Sequence, residues 1–490
     1  MGDAPRAALD FTMELHAPGD LSRAAERADA LVTVHARPRD PTAPGAGPGA
    51  APATAEILLM DRSLSMSGAG RLDEARRAVC AAIDTLRDGT LFAVVAGDHE
   101  ATVVHPPDGR APVPADETAR REAKAAVHAV RAQGGTRIGA WLECARRLFD
   151  AAAVDGVRHA VLYTDGKDEH ETREQLDAVL DACTDRFTCD VRGLGGDWEY
   201  RELHRIAEAL HGSSEAVIDI ADLTADFRAL MHAARQVVVP HVYLGLRCSE
   251  LFTLDRIRQT APVEADLTGR LLPSATDDTV HIPLGAWSPG LRQYQITLRL
   301  DRARAPLDTD LRAAWIALHA EAGDGPELAP TVPMDVRRRS IPSGPATASP
   351  ELTRVERMRA LGTAIRACTD AYAAGDLARA DQELRAALGL AEELGRPQKA
   401  AELRAVAERG PDGRLVLRRT VTRAEMQRLA LDSTRTGYPD DSPTGAAPVD
   451  SVASDPLDGP ARCPHCRAAL PTPRARFCEE CGKSVDGGGA

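Results

Sequence analysis

An apolar run that ends in acidic and hydroxyl side chains constrains the fold of this chain more than any other feature. Residues 55–60 read Ala-Glu-Ile-Leu-Leu-Met, which predicts a buried β-strand. The run leads directly into Asp61, and Ser63 and Ser65 follow at alternate positions. Where the chain turns out of the strand, these three side chains would converge on one point. Carboxylate and hydroxyl oxygens are hard donors that suit Mg²⁺ or Mn²⁺.

Two further loops carry oxygen donors in the same kind of setting. Thr136 follows a pair of glycines that allows a tight turn, and it opens a helical segment. Asp165 follows the apolar strand predicted at 159–163. Taken alone, Thr136 is a helix N-cap, and Asp165 with Gly166 is a turn. Together with residues 61–65, they predict a metal site at the carboxyl ends of strands, where an open α/β sheet binds its ligands.

This set of donors resembles the metal-ion-dependent adhesion site of von Willebrand factor type A (vWA) domains, and the resemblance extends over residues 53–236. The family pattern is Asp-x-Ser-x-Ser, then Thr, then Asp, which this chain matches with Asp61, Ser63, Ser65, Thr136 and Asp165. The resemblance implies that the hydroxyls lie close to a Mg²⁺ or Mn²⁺ ion, which the aspartates bind directly or through water. Leu64 stands where many relatives have glycine, so we expect an altered loop path with the same donors.

The order of strand-like and helix-like segments predicts the architecture. They alternate through residues 53–237, which indicates a doubly wound, mainly parallel, Rossmann-like α/β sheet with both faces covered. Residues 240–340 change to β-type patterns, but with few strands for a complete β-sandwich. Because residues 1–40 contain two more strand-like runs, we expect them to complete that sandwich, with the vWA domain inserted into it. Independent β regions are the alternative.

The carboxyl-terminal part of the chain begins with a helical segment and a linker. Residues 351–410 predict a helical hairpin similar to a single tetratricopeptide-like unit. Its apolar stripe is more typical of core packing than of a groove for a partner helix. Residues 438–460, rich in Asp, Ser, Pro and Gly, predict a flexible linker.

The tail, residues 461–484, contains two Cys-x-x-Cys pairs separated by eleven residues. Such pairs place four thiolates around one tetrahedral ion, and Zn²⁺ supplies the folding energy that so short a segment lacks. The tail resembles a zinc ribbon that ends in Phe-Cys-x-x-Cys-Gly, with His465 as a spectator. A redox role for the first pair is the alternative, but it needs the strand-to-helix context of a full domain. The predicted Zn²⁺ ligands are Cys463, Cys466, Cys478 and Cys481.

Composition and charge indicate the cellular compartment of the protein and the class of partner that it binds. The formal net charge of −13 argues against a general nucleic-acid binder, because neutralising phosphates needs a basic surface. The sequence has neither the apolar core of a signal peptide at its start nor a window long enough to span a membrane. Cysteines outside the tail are scattered through predicted helices and strands, as in a reducing compartment. We therefore expect a cytoplasmic protein without membrane partners.

The resemblance implies a protein-binding scaffold and not an enzyme. At most two carboxylates with neutral hydroxyls leave a dication electrophilic, so an exposed Asp or Glu of a partner protein could complete its coordination. Bacterial proteins of this kind are often associated with kinases, phosphatases or ATPases of signalling and stress systems, and the resemblance implies such a partner. The sequence contains no P-loop, His-Glu-x-x-His helix or Gly-x-Ser-x-Gly elbow.

The sequence is also compatible with two other functions. Mg²⁺ at the same site could act as a Lewis acid in a phosphoryl-transfer or hydrolytic enzyme, which would need a base and a substrate cleft. The zinc ribbon could instead contact nucleic acid through basic residues around its knuckles, although arginines there are more often solvated surface. Those basic residues are Arg462, Arg467, Arg474, Arg476 and Lys483.

Overall fold

The computed structural model describes most of the chain up to residue 436. The described residues are 9–39, 53–68, 70–152, 154, 156–166, 170–196, 198–217, 222–234, 239–274, 277–320, 325–341, 349–411 and 413–436. The chain divides into two compact units, residues 1–441 and 442–490, and all the described residues belong to the first. The linker predicted at 438–460 and the zinc ribbon predicted at 461–484, with Cys463, Cys466, Cys478 and Cys481, lie outside the described residues.

The strands and helices are numbered in chain order. The strands are β1 (Leu9–His16), β2 (Asp20–Leu21), β3 (Arg27–Pro38), β4 (Thr54–Asp61), β5 (Leu91–Gly97), β6 (Ala101–His105), β7 (Val113–Pro114), β8 (Val157–Thr164), β9 (Thr188–Leu194), β10 (Ser214–Val217), β11 (Val239–Cys248), β12 (Phe252–Ala261), β13 (Ala265–Asp266), β14 (Leu272–Pro273), β15 (Thr279–Trp287), β16 (Gly290–Leu300), β17 (Asp310–His319), β18 (Glu327–Arg338), β19 (Ala407–Arg409) and β20 (Leu415–Leu417). The helices are α1 (Arg71–Thr85), α2 (Glu117–Ala129), α3 (Ile138–Ala152), α4 (Arg173–Cys183), α5 (Tyr200–Ala209), α6 (Leu223–Ala234), α7 (Pro350–Ala373), α8 (Leu377–Glu393), α9 (Pro397–Ala405) and α10 (Arg423–Asp432).

The strands β4–β10 and the helices α1–α6 form an α/β unit with a mainly parallel sheet at its centre. Its order is β10-β9-β8-β4-β5-β6, with β7 also paired to β5. The strands from β10 to β5 run parallel, whereas β6 and β7 are antiparallel to β5. Successive residues of β4 face opposite sides: Ile57 and Leu59 pack with α3, α4 and α5, while Leu58 and Met60 pack with α1, α2 and α6. The mainly parallel α/β fold predicted from the sequence is therefore confirmed.

Two mostly antiparallel sheets surround a separate hydrophobic core. One has the order β1-β3-β16-β12-β13, and the other has the order β14-β15-β11-β17-β18-β2. Val32 from β3, Ile296 from β16 and Leu244 from β11 belong to this common core. Because β3 pairs with both β1 and β16, strands from the first forty residues share a sheet with strands from after the α/β unit. The α/β unit lies in the chain between β3 and β11.

The sequence pattern predicts neither β12 nor β18, so it predicts too few strands for residues 240–340. Charged residues interrupt the apolar signal of β12, whose sequence is FTLDRIRQTA. β18 contains Pro330 and Pro333, and a proline inside a run normally argues against a strand. The pairing of β17 with β18 has several register irregularities, and prolines are tolerated at such bulges.

Helices α7, α8 and α9 form a helical layer with a core of its own, which includes Leu384 from α8. Helix α10 connects this layer to the α/β unit. From α10, Met426 and Leu429 pack in this core, while Ala430 and Leu431 pack in the core of the α/β unit. α10 lies beyond residue 410, where the helical segment predicted from the sequence ends. No helix among the described residues combines the length and the apolar character that crossing a membrane would need.

A buried charged triad lies near the amino ends of three parallel strands. His159 Nδ1 lies 2.7 Å from Glu56 Oε2, and His159 Nε2 lies 2.9 Å from Asp190 Oδ2. Burial disfavours the charged imidazole, but the two carboxylates outweigh this effect and raise the pKa of His159 to about 10. Burial would raise the pKa of Asp190, yet hydrogen bonding to His159 and its charge hold that pKa well below the usual range. The triad is therefore an ion-paired part of the core.

We expect His159→Gln to lower the free energy of unfolding near pH 7 by about 3–5 kcal/mol, because it leaves buried carboxylates without their cation. The stability that the wild-type imidazolium contributes is fully present below its unfolded pKa of 6.5 and is lost as the pH rises toward 10. Urea denaturation at a series of pH values should therefore show a steeper loss of stability above pH 6.5 in the wild type than in the variant. His128→Gln, at an exposed histidine, is the control. Parallel pH profiles for wild type and His159→Gln would contradict the assignment.

A second prediction concerns the strands that precede the α/β unit. A fragment of residues 53–236 should fold alone, whereas residues 239–338 without the first forty should not, because β16 would lose β3 as its neighbour. Circular dichroism melting of the two fragments checks this. A cooperative melt of residues 239–338 would show that the amino-terminal strands are dispensable for those sheets.

Candidate metal centre

The five predicted ligands lie at the carboxyl ends of β4 and β8 and in the loop before α3. Asp61 is the last residue of β4, Asp165 follows β8, and Thr136 precedes α3. β4 and β8 are parallel neighbours, so their carboxyl ends meet at one edge of the sheet. Asp61 and Asp165 are fully buried and Ser63 and Thr136 nearly so, whereas Ser65 is exposed. The donors thus form a recessed group that opens to solvent at Ser65.

Hydrogen bonds connect the Asp-x-Ser-x-Ser loop to Asp165. Ser63 N donates to Asp61 Oδ1 at 2.7 Å, and the hydroxyl oxygens of Ser63 and Ser65 are 2.9 Å apart. Ser65 Oγ donates to Asp165 Oδ1 at 2.5 Å. Two loops that are a hundred residues apart in the chain therefore meet through their predicted ligands.

The hydroxyl of Thr136 lies beside Gly166, next to the other predicted ligands. A Cβ atom built on Gly166 would lie 3.2 Å from Thr136 Oγ1 and 3.7 Å from Ser65 Oγ. The missing side chain of Gly166 therefore leaves space for both hydroxyls next to Asp165. The structure brings together all five side chains that the sequence analysis selected, and their role as metal ligands is a proposal.

Two residues outside the predicted set also contact the aspartates. Thr164 Oγ1 donates to Asp61 Oδ2 at 2.6 Å, so both carboxylate oxygens of Asp61 accept hydrogen bonds. Arg71, the first residue of α1, places Nη1 2.7 Å from Asp165 Oδ2. Thr164 could have been found as the hydroxyl next to Asp165. No local pattern indicates Arg71, because its position depends on how the loop before α1 folds.

Asp98, directly after β5, holds the loops of the site together. Arg62 Nη2 lies 2.9 Å from Asp98 Oδ2, and Gln133 Nε2 donates to the same oxygen at 3.0 Å. Trp141 Nε1 donates to the backbone oxygen of Asp98 at 2.7 Å. Burial would raise the pKa of Asp98, but hydrogen bonds from Glu100 N and Gln133, together with the charge of Arg62, hold that pKa below its usual value. Asp98 is thus an ionised anchor for the ligand loops.

Backbone contacts between the loops fix their relative position. Gln133 N donates to the oxygen of Arg62 at 2.7 Å, and Leu64 N donates to the oxygen of Gly134 at 3.0 Å. Gly134 has a φ of 67°, and a Cβ atom there would lie 2.5 Å from His99 Nδ1, so glycine is required. Leu64, between Ser63 and Ser65, is 62% exposed.

The charges and the donor types fit a hard divalent cation. Burial raises the pKa of Asp61 to about 6, hydrogen bonds from Ser63 and Thr164 oppose the shift, and the charge of Asp165 adds to it. A cation would offset the cost of two buried carboxylates, and the remaining donors are neutral hydroxyls. Such an all-oxygen set suits Mg²⁺ or Mn²⁺. The described residues contain no group of three or more His, Cys, Asp or Glu side chains that could hold a metal ion.

Comparisons with known proteins bear on the family and the fold of the chain. A family model described as the von Willebrand factor type A domain matches residues 56–216. An uncharacterised protein of Synechocystis is 26% identical over 216 residues, which are 43% of this chain, and the chain spans about half the length of that relative (49%). The structure of the ArnB paralog VWA2 from Sulfolobus acidocaldarius has a TM-score of 0.54 at 12% identity, covering 87% of this chain and 98% of that one, and shows similarity of fold alone.

A further solved structure carries more weight because its sequence is also similar. It is described as von Willebrand factor type A from Catenulispora acidiphila, and it is 31% identical with a TM-score of 0.80. The alignment covers 88% of this chain and 98% of the other, so it includes much more than the α/β unit. Given this extent of similarity, the chain belongs to the von Willebrand factor type A family.

Proposed function

We propose that this protein is a scaffold that binds a partner protein through a divalent cation. Asp61, Ser63, Ser65, Thr136 and Asp165 would hold Mg²⁺ or Mn²⁺ at the edge of the sheet. The observation that carries the proposal is the convergence of these donors from separate loops, with Ser65 Oγ 2.5 Å from Asp165 Oδ1. The cation would supply an electrophilic position for a carboxylate of the partner, and the proposal assigns no catalytic step to the site.

The surroundings of the site favour an acidic residue on the partner. Arg71 is in contact with Asp165, Arg137 directly follows Thr136, and His99 lies beside Gly134. Arg137 and His99 are about half exposed, at 45% and 53% of their side chains. Arg137 is the more exposed of the two arginines, and although Glu171 lies 3.7 Å from it, an acidic residue of the partner could approach its guanidinium. Opposite charges of this kind guide association and fix its register.

The rest of the chain would present this site and add contacts to it. The α/β unit is connected to β3 and β11, and α10 joins it to the helical layer, so the site rests on a broad framework. The proposed zinc ribbon, with Cys463, Cys466, Cys478 and Cys481 as ligands, would offer a second contact on a tether. Two linked contacts raise overall affinity without any change at either site. We propose a cytoplasmic kinase, phosphatase or ATPase as the class of partner.

Thr136→Ala tests the cation-dependent part of this function. The variant removes one donor without placing an uncompensated charge, so we expect Mn²⁺ affinity to fall about tenfold, which corresponds to about 1.4 kcal/mol. Calorimetry measures the binding of Mn²⁺, and co-purification of partner proteins is measured in parallel, with and without EDTA. The melting temperature should stay nearly constant. Thr363→Ala, at an exposed threonine of α7, is the control. Wild-type capture that persists in EDTA would reject the cation bridge.

Arg71→Met tests whether the arginine competes with the cation. The guanidinium already neutralises Asp165 and would repel a dication bound there, so its removal should raise Mn²⁺ affinity about tenfold, or about 1.4 kcal/mol. Arg77→Met is the matched control, because Arg77 lies on the same helix, pairs with Glu74 and is 60% exposed. Calorimetry on the full-length variants gives both affinities. Weaker Mn²⁺ binding by Arg71→Met would show that Arg71 supports the metal site and does not compete with it.

A further inference from the structure

Leu64 is an exposed apolar side chain within the candidate metal centre. It lies between Ser63 and Ser65, and 62% of it is accessible to solvent. Within the described part of the chain, Leu64 contributes to none of the hydrophobic cores. The other exposed large apolar side chains among the described residues lie in or beside the β-sheets and the helical layer: Leu271, Leu272, Ile341 and Leu377. Leu64 thus places apolar surface at the opening of a site whose other side chains are polar.

The fold of the ligand loop keeps Leu64 on the surface. Residues Leu64–Ser67 form a short 3₁₀ turn, in which side chains three positions apart lie on the same side. Ser63 and Met66 are both buried, and Met66 packs in the same core as α1. Leu64 and Ser67, one position further on, are both exposed. Turning Leu64 inward would therefore pull Met66 out of the core and move Ser63 away from the other predicted ligands.

Hydrogen bonds on both sides of Leu64 fix its backbone. Leu64 N donates to the oxygen of Gly134 at 3.0 Å, and Ser67 Oγ donates to the oxygen of Leu64 at 2.7 Å. Met66 N donates to the oxygen of Ser63 at 3.0 Å, which closes the turn. A residue whose backbone is held in place before binding loses less conformational freedom when a partner covers it. The loop therefore presents Leu64 in a form suited to binding.

A carboxylate that completed the proposed coordination would come close to Leu64. Mg²⁺ holds its oxygen ligands at about 2.0–2.1 Å, so a partner oxygen on an ion bound by Ser63 and Ser65 would lie within a few ångströms of both hydroxyls. Leu64 is covalently joined to both serines, so the residues next to that carboxylate would lie beside the leucine side chain. A lone exposed leucine is ordinary on a protein surface. This one adjoins the position where the partner would bind.

We propose that Leu64 selects a partner segment in which an apolar side chain stands next to the acidic residue that binds the cation. The inference rests on the proposed function, because it requires a carboxylate of the partner to bind the ion. The cation attracts any exposed carboxylate and so distinguishes little among acidic segments. Burial of apolar surface stabilises a complex in proportion to the area covered, and this contribution is larger for an apolar neighbour than for glycine. Leu64 is thus a specificity-determining residue.

The test uses the full-length protein loaded with Mn²⁺ and two synthetic probes, acetyl-Leu-Asp-Leu-amide and acetyl-Gly-Asp-Gly-amide. A third peptide, acetyl-Leu-Asn-Leu-amide, lacks the carboxylate and measures apolar binding elsewhere. Binding is followed by the effect of the bound Mn²⁺ on water proton relaxation, which changes when a carboxylate displaces a coordinated water. Mn²⁺ affinity is measured first for every variant, so that the peptides are compared at equal occupancy of the metal. We expect the wild type to bind the leucine-flanked acidic peptide about tenfold more tightly than the glycine-flanked one.

Three variants assign this preference to the side chain of Leu64. Leu64→Ala should abolish the preference, because it removes most of the apolar surface at this position. Leu64→Met should retain it, because methionine is apolar and similar in volume. Leu377→Ala is the matched control, since Leu377 is 56% exposed and lies at the start of α8, outside the metal centre.

The outcomes separate this inference from the proposed function. Equal Mn²⁺-dependent binding of the two acidic peptides by the wild type would overturn the inference and leave the cation bridge standing. A preference that persists in Leu64→Ala would also overturn it, because another residue would then be responsible. Absence of Mn²⁺-dependent binding of either acidic peptide would reject the cation bridge itself, and the inference with it.

Discussion

Parallel pairing of β4 with β8 is the constraint on which the rest of the molecule depends. The register that places Met60 opposite Tyr163 brings Asp61 next to Thr164, and Asp165 follows at the same edge. At the other end of the same two strands, that register places Glu56 opposite His159. A slip of β8 by one residue would turn its side chains to the opposite face of the sheet relative to β4 and separate both pairs. One backbone register therefore aligns the candidate metal centre and the buried ion pair.

Several buried carboxylates of the α/β unit are paired with cationic side chains. The carboxylates around His159 are paired with its imidazolium, Asp98 is paired with Arg62, and Asp165 is paired with Arg71. Asp61 differs, because hydroxyl and amide donors are its partners and burial raises its pKa to about 6. The free-energy cost of binding a dication would be lowest where buried carboxylates have no cationic side chain as a partner. The charge distribution thus favours the edge beside Asp61 over the interior of the sheet.

The parts of the chain are joined by a few contacts that combine packing with charge. α10 packs against two hydrophobic cores, and Gln427 Oε1 accepts a hydrogen bond from Tyr200 N at 2.8 Å. On the side of the β-sheets, Asp266 N donates to Glu208 Oε1 at 2.7 Å.

The sequence by itself determined the α/β alternation and all five candidate ligands, because strand periodicity and the side chains that follow a strand are local properties. It did not determine β12 or β18, whose charges and prolines hide a strand that is stabilised by neighbouring strands distant in sequence. Nor did it identify Arg71 beside Asp165 or Asp98 between the ligand loops. These roles arise only when distant segments are brought within hydrogen-bonding distance. Tertiary structure decided them because the energies of burial and ion pairing depend on those neighbours.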